Sequence, residues 1–241
     1  MSRDVARAWS ANAILLSHTD EASWIAGAVA DIAEALRADI DGSGHARLLL
    51  SGGGTPAPVY RALSKQSLDW ARVSIGLVDE RWLPVGDPGS NARLARETLL
   101  TGFAAAALFE PLLAPGSDFD QSVANANQHA RPATVIILGM GPDGHTASLF
   151  PGMAGLDAAL ANPADYVGVD ASGCPGAQRW AQRISLTPAG MARAGVRLLL
   201  VRGEEKRVLA ERAMRAGEVR ELPVRAAMSL PGSALIIHWC P

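Results

Sequence analysis

The chain contains several short apolar runs, and many of them are apolar at consecutive positions instead of at every second one. Strands that are covered on both faces show this pattern, whereas a strand with one face in water alternates. The runs predict buried strands at residues 46–51, 73–79, 134–140, 183–187, 196–201 and 233–239.

Stretches with helical patterning separate these strands. They predict helices at residues 20–38, 57–64, 91–100, 121–130 and 204–216, with loops at 41–45, 83–90 and 152–180. Ser90 is the expected N-cap of the third helix. Strands that alternate with helices are typical of a parallel sheet with helices on both sides. We therefore predict an α/β fold, a doubly wound and mostly parallel sheet with helices on both faces, Rossmann-like in class.

The composition provides ample material for a hydrophobic core. Of the 241 residues, 49% are hydrophobic and 19% are charged, which argues against a disordered chain. Neither a repeat nor a change in composition marks a second domain, so we expect a single domain over residues 1–241. The formal net charge of -2 provides no basic surface for nucleic acid or an anionic membrane. Any anionic ligand must then be bound by a few local cations and backbone amides.

The cysteines and the N-terminal residues bear on the cellular compartment. Cys174 and Cys240 are the two cysteines, and such scarcity suits a reducing cytosol. The apolar run within residues 1–18 is too short for the core of a signal peptide, and no stretch approaches the roughly 20 apolar residues of a membrane span. We expect a cytoplasmic protein, a monomer or a weak homodimer, without a nucleic-acid or membrane partner.

Residues 139–152, GMGPDGHTASLFPG, place glycines and polar side chains directly after the predicted strand 134–140. The glycines allow backbone conformations that a side chain would forbid, and HTASLF predicts the start of a helix before Pro151. Open α/β sheets bind ligands at the carboxyl ends of their strands, which is where Asp143 and His145 would lie. A tight turn with a solvated aspartate and a surface histidine is the alternative.

A second glycine-rich turn, SGGGTP at residues 51–56, follows the first predicted strand. Thr55 predicts an N-cap and Pro56 suits a first helical turn, so a helix should begin here. Unpaired amides at a helix N-terminus bind anions, Gly53 and Gly54 let a phosphate approach the backbone, and the Thr55 hydroxyl can donate to it. The turn lacks the lysine of a nucleotide P-loop and the G-x-G-x-x-G spacing of a dinucleotide site. A turn that only joins strand to helix is the alternative.

Charged residues accompany other predicted strands. Asp79 and Arg81 lie at the end of strand 73–79, where Arg81 can offer a two-pronged guanidinium to a carboxylate or phosphate. An Asp–Arg pair that pins the loop is the alternative. Arg183 opens another strand, and Lys206 lies in the first turn of a predicted helix. A lysine there opposes the helix dipole, so a bound anion is one explanation, but from the residues alone a solvated surface lysine explains it better.

Together these stretches resemble the 6-phosphogluconolactonases, within the larger family that includes the glucosamine-6-phosphate isomerases and deaminases. The resemblance rests on SGGGTP at 51–56, DERW at 79–82, SN at 90–91, LGMGPDGHTASLFPG at 138–152, RISLT at 183–187 and VRGEEK at 201–206. These motifs span most of the chain, and the fourth of them is long and specific. The resemblance implies a doubly wound α/β sheet and hydrolysis of 6-phosphoglucono-δ-lactone, the second step of the oxidative pentose phosphate pathway, with no obligatory cofactor.

The resemblance also assigns site residues. The substrate phosphate would be held by Gly53, Gly54, Thr55, Arg183 and Lys206. The catalytic base would be His145, surrounded by Asp143, Asp79 and Arg81. No metal is expected, because Asp143 and His145 have no third or fourth ligand at a suitable spacing.

These residue types suit the chemistry of a lactone. The carbonyl needs an activated water and a site for the oxyanion that follows attack. Histidine titrates near neutrality, so a neutral His145 can take a proton from water and return it to the leaving oxygen. Arg81 or backbone amides of the glycine-rich turn would stabilise the oxyanion. Asp143 would fix the tautomer of the histidine if it reaches the ring.

Two other functions are weighed against the lactonase. The deaminases of the family carry a glutamate five residues after the histidine and tend to have an aromatic residue in place of Arg81, whereas this chain has Phe150 and Arg81. A sugar-phosphate-binding regulator without catalysis would have no need of His145 and Arg81. Both comparisons favour the lactonase.

Overall fold

The computed structural model describes residues 12–84 and 86–241. Within these ranges the strands are β1 (Ala13–Ser17), β2 (Ala46–Leu50), β3 (Val73–Leu77), β4 (Asp79–Arg81), β5 (Leu108–Phe109), β6 (Val135–Gly139), β7 (Tyr166–Asp170), β8 (Gln182–Leu186), β9 (Val196–Arg202) and β10 (Leu235–Cys240). The helices there are α1 (Glu21–Ser43), α2 (Ala57–Leu63), α3 (Asn91–Thr98), α4 (Phe119–Gln128), α5 (Leu156–Leu160), α6 (Pro188–Ala192), α7 (Glu204–Met214) and α8 (Val224–Met228).

The main sheet is parallel. Among the described residues it contains seven strands in the order β1-β10-β9-β6-β2-β3-β5, and each neighbouring pair is parallel. Every residue of β2 and β3 is buried, as the consecutive apolar positions predict for strands covered on both faces. The core extends from these strands to Trp24 of α1 and Tyr60 of α2, which are both fully buried. The predicted α/β fold with a mostly parallel sheet is confirmed.

A smaller sheet departs from the prediction. Within the described ranges, β4, β8 and β7 form an antiparallel sheet of three strands. The run 73–79, predicted as one strand, divides at Val78, whose amide donates to Leu50 of the main sheet while its carbonyl accepts from Leu186 of the small one. β8 matches a predicted strand but belongs to the small sheet, and β7 lies inside the predicted loop 152–180.

The five helices predicted between the strands are present, with differences at their ends. α1 continues into the predicted loop 41–45 and ends at Gly44, whose φ of 81° is a left-handed conformation that terminates helices. Ser90 caps α3 as predicted, because its side chain accepts a hydrogen bond from the amide of Arg93. The prediction about a signal peptide concerns residues 1–18, of which 1–11 lie outside the described residues. Among the described helices, none has the length and apolar character that crossing a membrane requires.

The helix predicted from HTASLF is wrong. Residues 145–150 form turns instead, with a bridge between Thr146 and Leu149 and a φ of 49° at Ala147. Thr146 donates its hydroxyl to the carbonyl of Gly139 at 2.9 Å. This bond folds the segment back onto the end of β6 before a helix can start.

The topology brings together the four segments that follow neighbouring strands. β9, β6, β2 and β3 are neighbours in the parallel sheet, so their carboxyl ends lie side by side at one edge. The chain leaves these strands through residues 203–206, 140–145, 51–55 and 78–81, which include both glycine-rich turns. This is the edge at which open α/β sheets bind ligands.

Candidate active site

A cavity of about 540 Å³ opens at this edge of the sheet. It is lined by all nine residues predicted to form the site, Gly53, Gly54, Thr55, Asp79, Arg81, Asp143, His145, Arg183 and Lys206. They come from distant parts of the chain, so the strand order collects them. Among the described residues, no group of three or more His, Cys, Asp or Glu side chains is arranged to hold a metal ion.

Asp143 and His145 form a pair in the cavity wall. Asp143 Oδ1 lies 2.6 Å from His145 Nδ1 and also accepts the backbone N–H of His145 at 3.2 Å. Burial acts to raise the pKa of Asp143, but the hydrogen bond and charge of His145 outweigh it and lower that pKa below its ordinary value. The carboxylate is therefore ionised at neutral pH and can only accept. Nδ1 must then carry the proton, which leaves Nε2 as the basic nitrogen.

Two glycines allow this pair to form. A Cβ atom at Gly141 would overlap the imidazole ring of His145, and a Cβ atom at Gly176 would overlap the carboxylate of Asp143. Gly141 belongs to the turn after β6, whereas Gly176 belongs to segment 171–181 between β7 and β8. Part of the predicted loop 152–180 therefore packs directly on the pair.

Asp79 is buried within a different hydrogen-bond network. Its carboxylate accepts from Ser148 Oγ at 2.6 Å and from Asn91 Nδ2 at 3.3 Å, and Arg183 Nη1 lies 3.9 Å away. In the described part of the chain no hydrogen bond joins Asp79 to His145, so the carboxylate that orients the imidazole is that of Asp143. The sequence left open which carboxylate does this, and it offered no signal for Ser148.

Arg81 and Arg183 occupy directly paired positions on β4 and β8. Arg183 is buried, donating from Nε to Trp180 O at 2.9 Å and from Nη2 to Ala177 O at 2.8 Å. Burial lowers the pKa of Arg183; Asp79 partly offsets this effect, and the charge of Arg81 lowers the pKa again. Two guanidinium groups close together in a poorly hydrated wall repel each other, and a bound anion relieves that repulsion.

Two buried polar atoms of residues that line the cavity have no hydrogen-bond partner among the described residues, namely Arg81 Nε and Ser51 Oγ. Arg81 does donate from Nη1 to the carbonyl of Gly89. Buried polar atoms in native proteins are almost always hydrogen-bonded. Ser122 Oγ and Arg197 Nε, which do not line the cavity, are unpartnered in the same way in the described part of the chain, so these atoms alone do not mark a ligand site.

The turn 51–55 differs from its prediction in one respect. Thr55 is not the N-cap of α2: Pro56 takes that position with helical dihedral angles, and no side chain caps the helix. Gly53 has a φ of 90°, and the space that a side chain would fill at Gly53 or Gly54 is open. Because α2 has only seven residues, its dipole is small, and cations must supply most of the attraction for an anion.

Lys206 provides a further cation to the same cavity. It is half-buried in the first turn of α7 and lines the cavity. Its neighbour Arg207 pairs with Glu204 and Glu211, whereas no acidic partner binds Lys206 among the described residues. Burial lowers the pKa of Lys206, and the charge of Asp143 opposes this shift. The ammonium group is therefore available to a ligand anion.

Glu80 connects β4, the strand that carries Arg81, to helix α3, a role that was not predicted. Its buried carboxylate accepts from the amides of Asn91 and Ala92, each at 2.8 Å, and from Ser90 Oγ at 2.9 Å. Burial raises the pKa of Glu80, and these hydrogen bonds oppose the shift. A carboxylate is favourable at the N-terminus of a helix, so Glu80 anchors β4 to α3 and with it the adjacent Arg81.

The model of the glucosamine-6-phosphate isomerase/6-phosphogluconolactonase family matches residues 19–236. The chain belongs to this family. A curated 6-phosphogluconolactonase of Xylella fastidiosa is 46% identical over 233 residues, covering 95% of this chain and 97% of that protein. One from Pseudomonas aeruginosa is 39% identical over 219 residues, covering 89% and 90%. A crystal structure of a 6-phosphogluconolactonase from Shewanella baltica has a TM-score of 0.86 and 31% identity, covering 95% of this chain and 98% of that one.

Membership of the family confirms the resemblance inferred from the motifs and draws attention to Phe150, which stands where its deaminases would carry a glutamate. Phe150 is fully buried, and its ring centroid lies 4.3 Å from that of His145 and 4.9 Å from Arg183 Cζ. An apolar ring has no acid–base group. Phe150 therefore packs against both residues and contributes no acid–base group of its own.

Proposed function

We propose that this protein hydrolyses 6-phospho-D-glucono-1,5-lactone to 6-phosphogluconate, the second step of the oxidative pentose phosphate pathway, without a cofactor. The observation that carries the proposal is the Asp143–His145 pair, which lines the same cavity as three cationic side chains. The relatives at 46% and 39% identity bear the name of this activity. A histidine base and an anion site in one cavity suit a phosphorylated lactone.

In the proposed reaction, Nε2 of His145 takes a proton from a water molecule, whose oxygen attacks C1 of the lactone. The carbonyl electrons move onto the carbonyl oxygen and form a tetrahedral oxyanion. When this intermediate collapses, the bond between C1 and the ring oxygen breaks, and the imidazolium returns the proton to the ring oxygen. The products are a carboxylic acid, which ionises, and a free hydroxyl group. Ionised Asp143 stabilises the imidazolium between the two proton transfers.

Arg81 is the proposed partner of the oxyanion. Arg81 lines the cavity, and Nη1 is its one hydrogen-bonded side-chain nitrogen among the described residues, so Nη2 remains as a donor for an oxygen that gains charge. A donor that is already in place stabilises the oxyanion more than the ground-state carbonyl. Backbone amides of the turn 139–145 are the alternative donors. Asp79 contributes indirectly, because it contacts Ser148 and Arg183.

The substrate phosphate is proposed to bind beside the turn 51–55. The residues of this site are Gly53, Gly54, Thr55, Arg183 and Lys206. Open space at the two glycines allows an anion to approach the backbone, and the lysine ammonium has no acidic partner among the described residues. The cations compensate for the small dipole of α2.

We further propose that the protein acts in the cytoplasm, as one domain, on this small molecule, and that it is a monomer or a weak homodimer. Sedimentation velocity over a range of concentrations tests the assembly state. A single light species, or a pair that dissociates on dilution, agrees with the proposal. A stable higher oligomer contradicts it.

Lactone hydrolysis by the purified protein is the direct test. The lactone also hydrolyses spontaneously, so each rate is corrected with a sample that lacks protein. A corrected rate that saturates with substrate and scales with protein concentration supports the proposal. Ammonia release from glucosamine 6-phosphate well above background would assign the chain to the deaminase branch. Binding of 6-phosphogluconate without turnover of either compound would indicate a sugar-phosphate-binding protein without catalysis.

A further inference from the structure

We propose that Trp180 is a positioning residue for this reaction, which holds Arg81 in the orientation that the oxyanion requires. The inference rests on the proposed function and extends it to segment 171–181, for which the sequence indicated no role. Trp180 lies at the end of this segment, just before β8.

The indole of Trp180 covers one face of the Arg81 guanidinium. The Cζ atom of Arg81 lies 5.1 Å from the ring centroid, which is within the range of a cation–π attraction. Nη1 of the same guanidinium donates to the carbonyl of Gly89. With one face covered and one nitrogen bound, the guanidinium is held in the cavity wall, and Nη2 has no hydrogen-bond partner among the described residues.

Gly89 shows that this arrangement is built into the loop between β4 and α3. A Cβ atom at Gly89 would overlap Cζ2 of the Trp180 indole. Gly89 does not have a positive φ, so the approach of the ring, and not the backbone conformation, requires glycine here. The loop itself is tied down, because the amide of Gly89 donates to Asp87 Oδ1 at 2.7 Å.

The main chain of Trp180 contacts the second arginine. Its carbonyl accepts from Arg183 Nε at 2.9 Å. This contact uses a backbone atom, so it remains available when the side chain at position 180 is replaced. The effect of a substitution there reports on the indole ring, and thus on Arg81.

Arg179 offers a matched control on the same ring. Its Cζ atom lies 4.7 Å from the Trp180 centroid, but Arg179 is exposed and is not part of the cavity lining. Removing it takes a cation from the indole without touching the site. If Trp180 acts through Arg81, loss of Arg179 should leave the rate unchanged, whereas loss of Arg81 should lower it.

The experiment compares kcat and KM in four single variants. Trp180→Ala should lower kcat/KM about tenfold, equivalent to about 1.4 kcal/mol, with the loss in kcat because the charge on the carbonyl oxygen develops only after the lactone is bound. Trp180→Phe keeps an aromatic face and should recover most of the rate. Gly89→Ala adds a methyl group that overlaps the indole and displaces it, so it should match Trp180→Ala. Arg179→Ala should equal the wild type.

A double-mutant cycle separates positioning from a general structural effect. In an Arg81→Ala background, Trp180→Ala should lower kcat/KM less than about twofold, because the group it acts through is gone. An equal loss in both backgrounds, or a loss confined to KM, would overturn the inference. If Trp180→Ala lacks a cooperative unfolding transition, Gly89→Ala replaces it in the cycle. A wild type without lactonase activity refutes the proposed function, whereas an active wild type that is insensitive to Trp180→Ala refutes this inference alone.

Discussion

The cavity has two walls of different origin. The first wall consists of the turns that follow β2, β6 and β9 of the parallel sheet, and it contains the glycines of turn 51–55, His145 and Lys206. The second wall consists of the small antiparallel sheet and segment 171–181, and it contains the two arginines. In the first wall each functional group directly follows a buried strand. In the second wall the side chains are held by contacts between segments that are distant in sequence.

This difference separates two kinds of contribution. The first wall supplies the proposed base and the backbone that a phosphate approaches. The second wall supplies the two guanidinium groups, in addition to the ammonium group of Lys206 in the first. The carbonyls of Ala177 and Trp180 and the Trp180 indole contact these guanidinium groups. We therefore expect substitutions in the first wall to remove a group that takes part in catalysis or phosphate binding. Most substitutions in the second wall should instead leave such a group present but displaced from its position.

The largest effect is expected for His145→Asn in the first wall. Asparagine keeps a polar side chain but cannot transfer a proton, so kcat should fall about 10²–10⁴-fold. Binding of 6-phosphogluconate, measured by calorimetry, should survive because the phosphate is held elsewhere. In the wild type, Asp143, whose pKa lies below its ordinary value despite burial, stays ionised at neutral pH and keeps its hydrogen bond to the imidazole.

The matched control for this variant is His129→Asn, since His129 is exposed at the end of α4. It should have wild-type kinetics. A kcat near that of the wild type in His145→Asn, after correction for spontaneous hydrolysis, would show that the histidine is structural and that the first wall lacks the base.

Gly176→Ala in the second wall is expected to have the next largest effect. The added methyl group overlaps the Asp143 carboxylate and must displace the pair, and a shift of about 1 Å in a catalytic group can lower a rate about 10²-fold. We expect kcat to fall about 10–100-fold in steady-state assays while the melting temperature changes little. Gly42→Ala is the control, because a Cβ atom there meets no other atom within 4 Å. Unchanged kcat in Gly176→Ala would remove the second wall from the positioning of the pair.

How far the sequence predicts the site also differs between the walls. His145 and the turn 51–55 follow apolar runs, and the carboxyl ends of parallel strands converge, so their meeting could be expected from the pattern alone. The second wall depends on the pairing of β4 with β8, a contact between distant segments that periodicity does not encode. The run 73–79 gave no sign of the break at Val78, and the mixed composition of 152–180 concealed both β7 and Trp180.

Lys206→Ala tests the anion site of the first wall. A charge-assisted hydrogen bond contributes about 1.5–3 kcal/mol, so KM for the lactone should rise about 10–100-fold, with a smaller change in kcat. Arg207→Ala is the control, because Arg207 pairs with Glu204 and Glu211 and does not line the cavity. A lower kcat at unchanged KM would mean that the lysine serves the chemical step and not phosphate binding.

The smallest effect is expected for Thr55→Ala. One neutral hydrogen bond contributes about 0.5–1.5 kcal/mol, so KM should rise about two- to tenfold, while backbone amides and Lys206 retain most of the phosphate affinity. Because Thr55 does not cap α2, the free energy of unfolding should stay at the wild-type value. Ser90→Ala is the comparison, since Ser90 does cap α3, and its loss should reduce that free energy by about 1 kcal/mol.

Urea denaturation of Thr55→Ala and Ser90→Ala, together with their KM values, separates capping from binding at these two helix starts. If Thr55→Ala lost as much stability as Ser90→Ala, the threonine would be a cap in solution, and the first wall would be held by its helix rather than by its turn. If Thr55→Ala kept both its stability and its KM, the hydroxyl would have no part in the phosphate site. The expected combination, a raised KM at unchanged stability, assigns Thr55 to the ligand because the helix does not use it.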